Sequence, residues 1–186
     1  SEDFDGTVLV VERDPTYERA STTLTNSCIR QQFSTEVNIR ISQFAAAYIR
    51  SFREELGGDP EIPEIRLEEF GYLYLAGDRE AANVLRHNHA IQVGCGVGAR
   101  LVSPKVLAEV WPFISPDGIE LASHNPRDEG WFDGQAMFDW WRRKARARGV
   151  EFVADRVTAL ARMGRDVMAV QLASGAAVAP GWVVNA

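Results

Sequence analysis

The amino-acid sequence predicts an α/β fold, and three features carry the prediction. Residues 7–14 form an unbroken apolar strand that ends on acidic side chains. Residues 36–56 repeat apolar side chains at steps of three and four, as one face of a helix does. Residues 133–148 suit a helix that Asp133 caps and Gly149 closes, and a strand over residues 150–154 follows it. Alternation of strands and helices is typical of a sheet covered by helices.

The first strand ends on Glu12, which is a candidate nucleotide-binding residue. A carboxylate at the end of a buried parallel strand can accept hydrogen bonds from both ribose hydroxyls, and its charge disfavours a 2′-phosphate. This favours NAD or FAD over NADP. The alternative is a charged residue that only marks the solvent boundary of the strand. The glycine-rich loop of such sites precedes the acid by roughly 20 residues. Only eleven residues precede Glu12, so we expect that loop to lie before residue 1.

The other elements follow from local patterns. Asp14 and Pro15 end the first strand, and the polar residues 15–33 predict a long loop. Ser34 or Thr35 can cap the helix over residues 36–56. Its predicted buried face consists of Val37, Ile41, Phe44, Tyr48, Phe52 and Leu56. Further helices are predicted over residues 78–93 and 103–110, and further strands over residues 70–75, 119–122, 157–162, 167–172 and 182–185.

Residues 94–99 match the dinucleotide-binding pattern G-x-G-x-x-[GA] literally, but their surroundings argue against that function. The pattern needs a strand before it and a helix opening out of it, so that helix amides meet a pyrophosphate. Residues 87–93 instead suit the end of a helix, and Pro104 falls where the new helix should run. These glycines are therefore predicted to end one helix and turn the chain.

The composition excludes several function classes. A net charge of −6 and a pI near 5.1 disfavour nucleic-acid and anionic-membrane partners, so the basic residues of 142–148 are interpreted as a solvated helix end. No apolar run reaches the roughly 18 residues that span a bilayer. Cys28 and Cys95 lack a zinc spacing, and His87 and His89 point to different helix faces, so no metal site is predicted. We expect a cytoplasmic protein.

Arg30 is a candidate ligand-binding residue. It lies at the end of the polar loop that begins after the first strand, and a guanidinium fork suits bidentate capture of a carboxylate. A surface salt bridge is the alternative.

Six spaced runs are more informative together than singly: VVERD (10–14), ASTT (20–23), IRQQFS (29–34), GARLVSP (98–104), EGWFD (129–133) and WVVNA (182–186). Together they resemble the D-amino-acid-oxidase-like FAD-dependent oxidoreductases, in particular the sarcosine oxidase and dimethylglycine dehydrogenase branch that includes the FOXRED-type mitochondrial proteins. The resemblance implies a Rossmann-like, three-layer FAD/NAD(P)-binding fold with FAD as the cofactor. Residues 1–60 and 129–186 would belong to an incomplete FAD-binding domain. Residues 61–128 would begin an antiparallel α+β substrate-binding domain.

The resemblance also implies roles for individual residues. Glu12 and Arg13 would hold the adenosine ribose and its surroundings, and the main chain of Val157 would meet the adenine. The remaining implied FAD contacts are Ser21, Thr22 and Thr23 at the pyrophosphate and ribityl chain, the backbone of Ser27, Cys28 and Ile29 at the flavin ring, and Asn185 and Ala186 near the pyrophosphate. The family usually has glycine where Cys28 stands, which is a departure at a position of close approach.

The implied reaction is oxidation of the C–N bond of an amino acid or N-methylated amino acid, with Arg30 binding the substrate carboxylate. Catalytic residues are not assigned within the 186 residues. We expect the rest of the same polypeptide to complete the fold, and these residues alone to be inactive. A flavin-fold assembly factor or partner-binding protein without significant catalysis is the main alternative. An NAD-dependent dehydrogenase is a third.

Overall fold

A computed structural model describes residues 4–185 of the chain. Its strands are β1 (Leu9–Glu12), β2 (Cys28–Ile29), β3 (Leu67–Glu69), β4 (Tyr72–Ala76), β5 (Arg100–Val102), β6 (Leu121–Asn125), β7 (Gly130–Phe132), β8 (Glu151–Ala154), β9 (Val157–Met163), β10 (Asp166–Leu172) and β11 (Ala177–Val178). Its helices are α1 (Ser21–Leu24), α2 (Glu36–Arg50), α3 (Phe52–Glu55), α4 (Arg79–Gly94), α5 (Pro104–Val110) and α6 (Gly134–Ala147). Across residues 4–185, none of these helices is both long and apolar enough to cross a bilayer.

The chain divides into two compact units. The terminal unit consists of the described parts of Ser1–Leu24 and Asp139–Ala186, and the central unit is Thr25–Phe138. These bounds rest on compactness alone. The functional domain boundaries at residues 60 and 128 therefore stay a prediction.

The terminal unit contains the strand that ends on Glu12. β1 pairs in parallel with β8, from Leu9 opposite Glu151 to Glu12 opposite Ala154. β9, β10 and β11 form a separate antiparallel sheet, with β10 in the middle. The strand predicted over residues 182–185 is wrong: this segment has no regular structure, because no strand within residues 4–185 pairs with it.

The central unit is built on two antiparallel sheets, in the strand orders β2-β7-β3 and β4-β6-β5. Helix α4 packs on one face of the second sheet, where Ala82 meets Leu121 in a buried cluster. Helix α5 covers the other face, where Leu107 packs on Val102 and Ala122. The antiparallel pairing expected in this part of the chain is present, and burial of these apolar side chains stabilises it.

The ends of α4 agree with the helix predicted over residues 78–93. The Asp78 carboxylate accepts a hydrogen bond from the Ala81 amide at 2.8 Å, which is an N-cap. At the other end, the amides of Gly96 and Val97 each donate at 2.9 Å to carbonyls of the last turn. Gly96 has a φ of +82°, which makes this a Schellman motif. The rejection of residues 94–99 as a dinucleotide-binding loop is confirmed, because these glycines end a helix.

The buried face predicted for α2 is wrong over most of its length. Val37, Ile41 and Phe44 are 63%, 60% and 70% exposed, whereas Ile39, Ser42, Ala46 and Ile49 are buried. Both stripes recur at steps of three and four, so the period alone does not choose between them. The buried stripe carries the small residues that let another element approach closely. The helix is also interrupted at Ser51, after which Phe52 begins α3 and is fully buried.

Candidate functional site

The first candidate site lies in the terminal unit at the C-terminal end of β1. Glu12 is half-buried there, and its Oε1 accepts a hydrogen bond from the Asp14 amide at 2.8 Å. No other hydrogen bond to this carboxylate is present within residues 4–185. Its second oxygen is therefore available to accept hydrogen bonds from a ligand.

Glu12 lines a cavity of about 480 Å³ within the terminal unit. The cavity is bounded by residues 11–14, 17, 19–20, 155–157 and 185. The structure thus brings together four of the predicted cofactor residues, Glu12, Arg13, Val157 and Asn185. Three segments far apart in the sequence supply these residues, and the first two meet because β1 and β8 end side by side.

The charged side chains around this cavity divide into two kinds. Asp14 accepts hydrogen bonds from Thr16, whose hydroxyl is the main reason that the Asp14 pKa is lowered. Asp155 accepts from the Arg156 and Ser174 amides, and a hydrogen bond from Ser174 is the main cause of its lowered pKa. The hydrogen bonds of both carboxylates therefore stabilise the local backbone turns of the protein.

The arginines of this cavity are different. No acidic side chain within residues 4–185 forms an ion pair with Arg13, Arg19 or Arg156. A cavity with one open carboxylate acceptor and three such guanidinium groups offers an acceptor for hydroxyls and donors for phosphate oxygens.

The second candidate site lies in the central unit, around the segment that carries Arg30. Cys28 and Ile29 form β2, which pairs with β7, and Arg30 follows directly. The Arg30 guanidinium carbon lies 4.9 Å from the centre of the Phe33 ring, in a cation–π contact. No acid within residues 4–185 forms an ion pair with it, so the salt-bridge alternative is absent from the described part of the chain.

Two tyrosines of β4 accompany Arg30. Tyr72 and Tyr74 are half-buried, and their rings stack with centroids 6.4 Å apart. Burial is the main cause that raises the pKa of Tyr72 to about 12, followed by a hydrogen bond with the Cys28 thiol, while Arg30 lowers it. Burial likewise raises the pKa of Tyr74, against a lowering effect of Arg30. Both phenols therefore keep their protons at neutral pH and stand in the field of the Arg30 guanidinium.

Glu129 holds this segment in place. It is completely buried, and its carboxylate accepts three hydrogen bonds: from the Gln31 amide at 2.7 Å, the Gln32 amide at 3.0 Å and the Gln32 side chain at 3.0 Å. Gln32 also donates to the Tyr72 carbonyl at 2.9 Å and accepts from the Ser123 hydroxyl at 2.7 Å. This network ties the residues after Arg30 to the strand that carries the tyrosines.

The remaining predicted cofactor residues do not line the terminal cavity. Ser21, Thr22 and Thr23 lie in α1, a short helix inside the segment predicted as a loop. Ser27, Cys28 and Ile29 belong to the central unit, where the Ser27 carbonyl accepts from the Phe132 amide at 3.1 Å. Ala186 lies outside the described residues. Their assignment to FAD stays a prediction.

Sequence reasoning missed Glu129, Tyr72 and Tyr74 as residues of the Arg30 site. Glu129 belongs to the run EGWFD, which was used only to recognise the family resemblance. The one local feature that could have pointed to a buried acid is its position directly before Gly130. The tyrosines had no signal beyond an aromatic strand.

Comparison of the chain with known proteins identifies its family. A family model described as FAD dependent oxidoreductase (DAO) matches residues 3–186. The chain belongs to this family. Its curated relatives include FAD-dependent oxidoreductase domain-containing protein 1 of Xenopus laevis, 40% identical over 162 residues, which are 87% of this chain and 32% of that protein. The Bos taurus protein of the same description is 40% identical over 81% of this chain and 31% of its own length. The chain therefore spans about a third of the length of these relatives.

Solved structures show that the fold is shared with an amino-acid dehydrogenase and an amino-acid oxidase. L-proline dehydrogenase from P. horikoshii superposes with a TM-score of 0.73 at 23% identity, over 97% of this chain and 52% of that chain. Glycine oxidase from Geobacillus kaustophilus superposes with a TM-score of 0.70 at 16% identity, over 93% of this chain and 46% of that chain. The predicted α/β fold and the predicted family are confirmed, and the cofactor of the family is FAD.

The residues of the terminal cavity fit the adenosine end of FAD. A ribose diol needs an acceptor, which the open Glu12 oxygen supplies, and the pyrophosphate needs cationic donors, of which Arg13, Arg19 and Arg156 offer three. The Glu12 charge also disfavours a 2′-phosphate, in agreement with FAD rather than NADP.

Proposed function

We propose that this chain is part of an FAD-dependent enzyme that oxidises the C–N bond of an amino acid or N-methylated amino acid. One observation carries the proposal: Arg30 presents a guanidinium that pairs with no acid within residues 4–185 and rests on the Phe33 ring. Such a group is suited to bind a carboxylate through two parallel hydrogen bonds.

The neighbours in structure support the same substrate class. Glycine oxidase, L-proline dehydrogenase and iminodiacetate oxidase are named for compounds that carry both an amine and a carboxylate. The three enzymes are only 16–23% identical to this chain, so they show a shared fold, and the proposed substrate class depends on Arg30.

The roles of this chain's own residues follow from that assignment. Arg30 would bind the substrate carboxylate and orient the carbon beside the nitrogen, while Glu129 and Gln32 hold the Arg30 segment in position. When bound, FAD supplies the acceptor for the hydride that leaves this carbon. The amine also gives up a proton, and water hydrolyses the resulting imine to a carbonyl compound and a free amine.

Replacement of Arg30 by alanine tests the proposal in the full-length, FAD-loaded protein. The variant loses a charged bidentate contact, so the KM for carboxylate-bearing amines should rise by about 100-fold, whereas FAD affinity should stay unchanged. The measurement is flavin reduction by sarcosine, glycine and L-proline. Arg86→Ala, on the exposed face of α4, is the matched control and should behave as the wild type.

Two results would count against this function. An unchanged KM in Arg30→Ala would remove Arg30 from carboxylate binding. A yellow wild-type protein that no carboxylate-bearing amine reduces would favour the alternative, a flavin-fold assembly factor or partner-binding protein.

We further propose that the remaining polypeptide completes the site, and that the protein is cytoplasmic.

The FAD-binding role of Glu12 has its own test. Glu12→Gln retains an oxygen for the Asp14 amide but replaces the open carboxylate acceptor, so FAD affinity should fall by about tenfold. The measurement is the dissociation constant for FAD of the full-length apoprotein, by fluorescence titration. Glu18→Gln, an exposed acid of the same unit, is the control. Equal FAD affinity in both variants would argue against Glu12 as the ribose anchor.

A further inference from the structure

Within residues 4–185, one aromatic side chain lines the terminal cavity, and it is that of Tyr17. The aliphatic residues of the lining are Val11, Ala20 and Val157. The charged groups of this cavity suit a ribose and a pyrophosphate. An adenine base is flat and uncharged, and proteins commonly bind such a base by stacking an aromatic ring on its face. Tyr17 therefore offers a surface for the adenine that the charged residues do not supply.

The backbone at Tyr17 gives no reason for an aromatic residue. Its φ of +58° lies in the left-handed region, which glycine and asparagine adopt at lower cost than a bulky residue. Two turns hold this conformation. The Tyr17 amide donates to the Asp14 carbonyl at 2.9 Å, and the Ala20 amide donates to the Tyr17 carbonyl at 3.0 Å. The fold thus keeps a strained tyrosine at the lining of the cavity, which is a common feature of functional positions.

A guanidinium covers one face of the Tyr17 ring. The guanidinium carbon of Arg142, on α6, lies 4.6 Å from the centre of the ring, in a cation–π contact. The Arg142 side chain is only 21% exposed, so water screens this contact less than it would on an open surface. Tyr17 lines the terminal cavity and Arg142 does not. The face of the ring opposite Arg142 is therefore the one that is available to a ligand.

Helix α6 makes a second contact of this kind. The guanidinium carbon of Arg146, one turn after Arg142, lies 4.7 Å from the centre of the Phe152 ring, on β8. Two of the basic residues interpreted as a solvated helix end therefore contact aromatic rings of the terminal unit. Phe152 does not line the terminal cavity. Of these two rings, that of Tyr17 is the one placed to meet a ligand there as well.

We propose that Tyr17 is the residue on which the adenine ring of FAD stacks, and that Arg142 is a positioning residue that holds the Tyr17 ring from its other face. The main chain of Val157, predicted to meet the adenine, lines the same cavity. The inference goes beyond the proposed function, because it concerns the cofactor and holds whether or not the substrate is an amine.

Tyr17→Leu tests the stacking in the full-length apoprotein. Leucine has the same difficulty with a positive φ as tyrosine, so the variant removes the ring without relieving the backbone. The dissociation constants for FAD and for ADP should rise by about tenfold, whereas that for FMN, which lacks the adenosine, should stay unchanged. Tyr17→Phe keeps the ring and should bind all three as the wild type does. Phe152→Leu is the matched control, because it removes a ring that lies under Arg146 but outside the cavity.

The role of Arg142 has a separate test. Arg142→Met keeps an unbranched side chain and removes the charge, so the dissociation constant for ADP should rise by about threefold. The same change should have no effect in the Tyr17→Leu background, because Arg142 acts through the ring. Arg143→Met is the control, since the Arg143 guanidinium lies over the Trp140 ring and does not line the cavity.

Three results would overturn the inference. The first is an ADP affinity of Tyr17→Leu equal to that of Phe152→Leu, with a lower thermal midpoint as the only effect, because the ring would then serve the fold alone. The second is a loss of FMN affinity as large as the loss of ADP affinity, because the change would then not act at the adenine. If Tyr17→Leu yields no folded apoprotein, Arg142→Met decides, and an ADP affinity equal to that of Arg143→Met is the third.

Discussion

Gly130→Ala should destabilise the central unit more than any other substitution considered in this chain. A β carbon at Gly130 would lie 1.8 Å from the Glu68 carbonyl oxygen and 2.9 Å from its carbon, both of them backbone atoms that cannot rotate away. Gly130 lies in the middle strand of the sheet β2-β7-β3, so relief of the clash must separate β7 from β3. We expect a loss of about 4 kcal/mol in the free energy of unfolding, which is comparable to the whole stability of a marginal domain.

The thermal midpoint and the soluble yield of the variant measure this effect. Gly94→Ala is the matched control, because the added β carbon at the end of α4 meets no atom within 4 Å. It should change the free energy of unfolding by less than about 1 kcal/mol and can stabilise the helix. Equal thermal midpoints for the two variants would show that β3 can move away from β7 without loss of stability. This result would contradict a tight contact between Gly130 and the Glu68 carbonyl.

Glu129→Ala has the second-largest expected effect. The change leaves the amides of Gln31 and Gln32 and the Gln32 side chain without their common acceptor, at a fully buried position. An unsatisfied buried donor costs about 1–3 kcal/mol, and water that enters the vacated space recovers part of it. We therefore expect a loss of about 3 kcal/mol in the free energy of unfolding, measured by urea denaturation.

Two further variants sharpen this test. Glu129→Gln keeps an acceptor oxygen but turns an amide towards the Gln32 side chain, so its loss should be intermediate. Glu109→Ala, at an exposed position of α5, should cost less than about 0.5 kcal/mol. Because Glu129 holds the segment that carries Arg30, we also expect Glu129→Gln to raise the KM for carboxylate-bearing amines. A stability of Glu129→Ala equal to that of Glu109→Ala would mean that the network contributes nothing to the fold.

Local chemistry accounts for the elements that could be predicted. Asp78 and Ser103 each accept a hydrogen bond from the third residue that follows, so the starts of α4 and α5 could be found from the capping residues alone. The end of α6 is equally local, since Gly149 has a φ of +85° that few other residues adopt. The strand that ends on Glu12 also needed no distant partner to be recognised.

The errors have one physical cause. In α2, residues on two opposite faces recur at the helical period. Which of these faces is buried depends on the elements that pack against the helix. Ser42 is buried because its hydroxyl donates to the Arg30 carbonyl, a contact that no local pattern contains. Residues 182–185 have the composition of a strand, but a strand exists only where another strand pairs with it.

The sequence by itself determined the acid at the end of the first strand and the arginine eighteen positions later, because each sits in a local run of recognisable type. Only the tertiary structure decided what surrounds them. It places Val157 and Asn185 in the cavity of Glu12, and it joins Glu129 to Gln31 across 98 positions. Hydrogen bonds and burial between such distant residues depend on how strands and helices pack. The pattern of neighbouring residues does not record that packing.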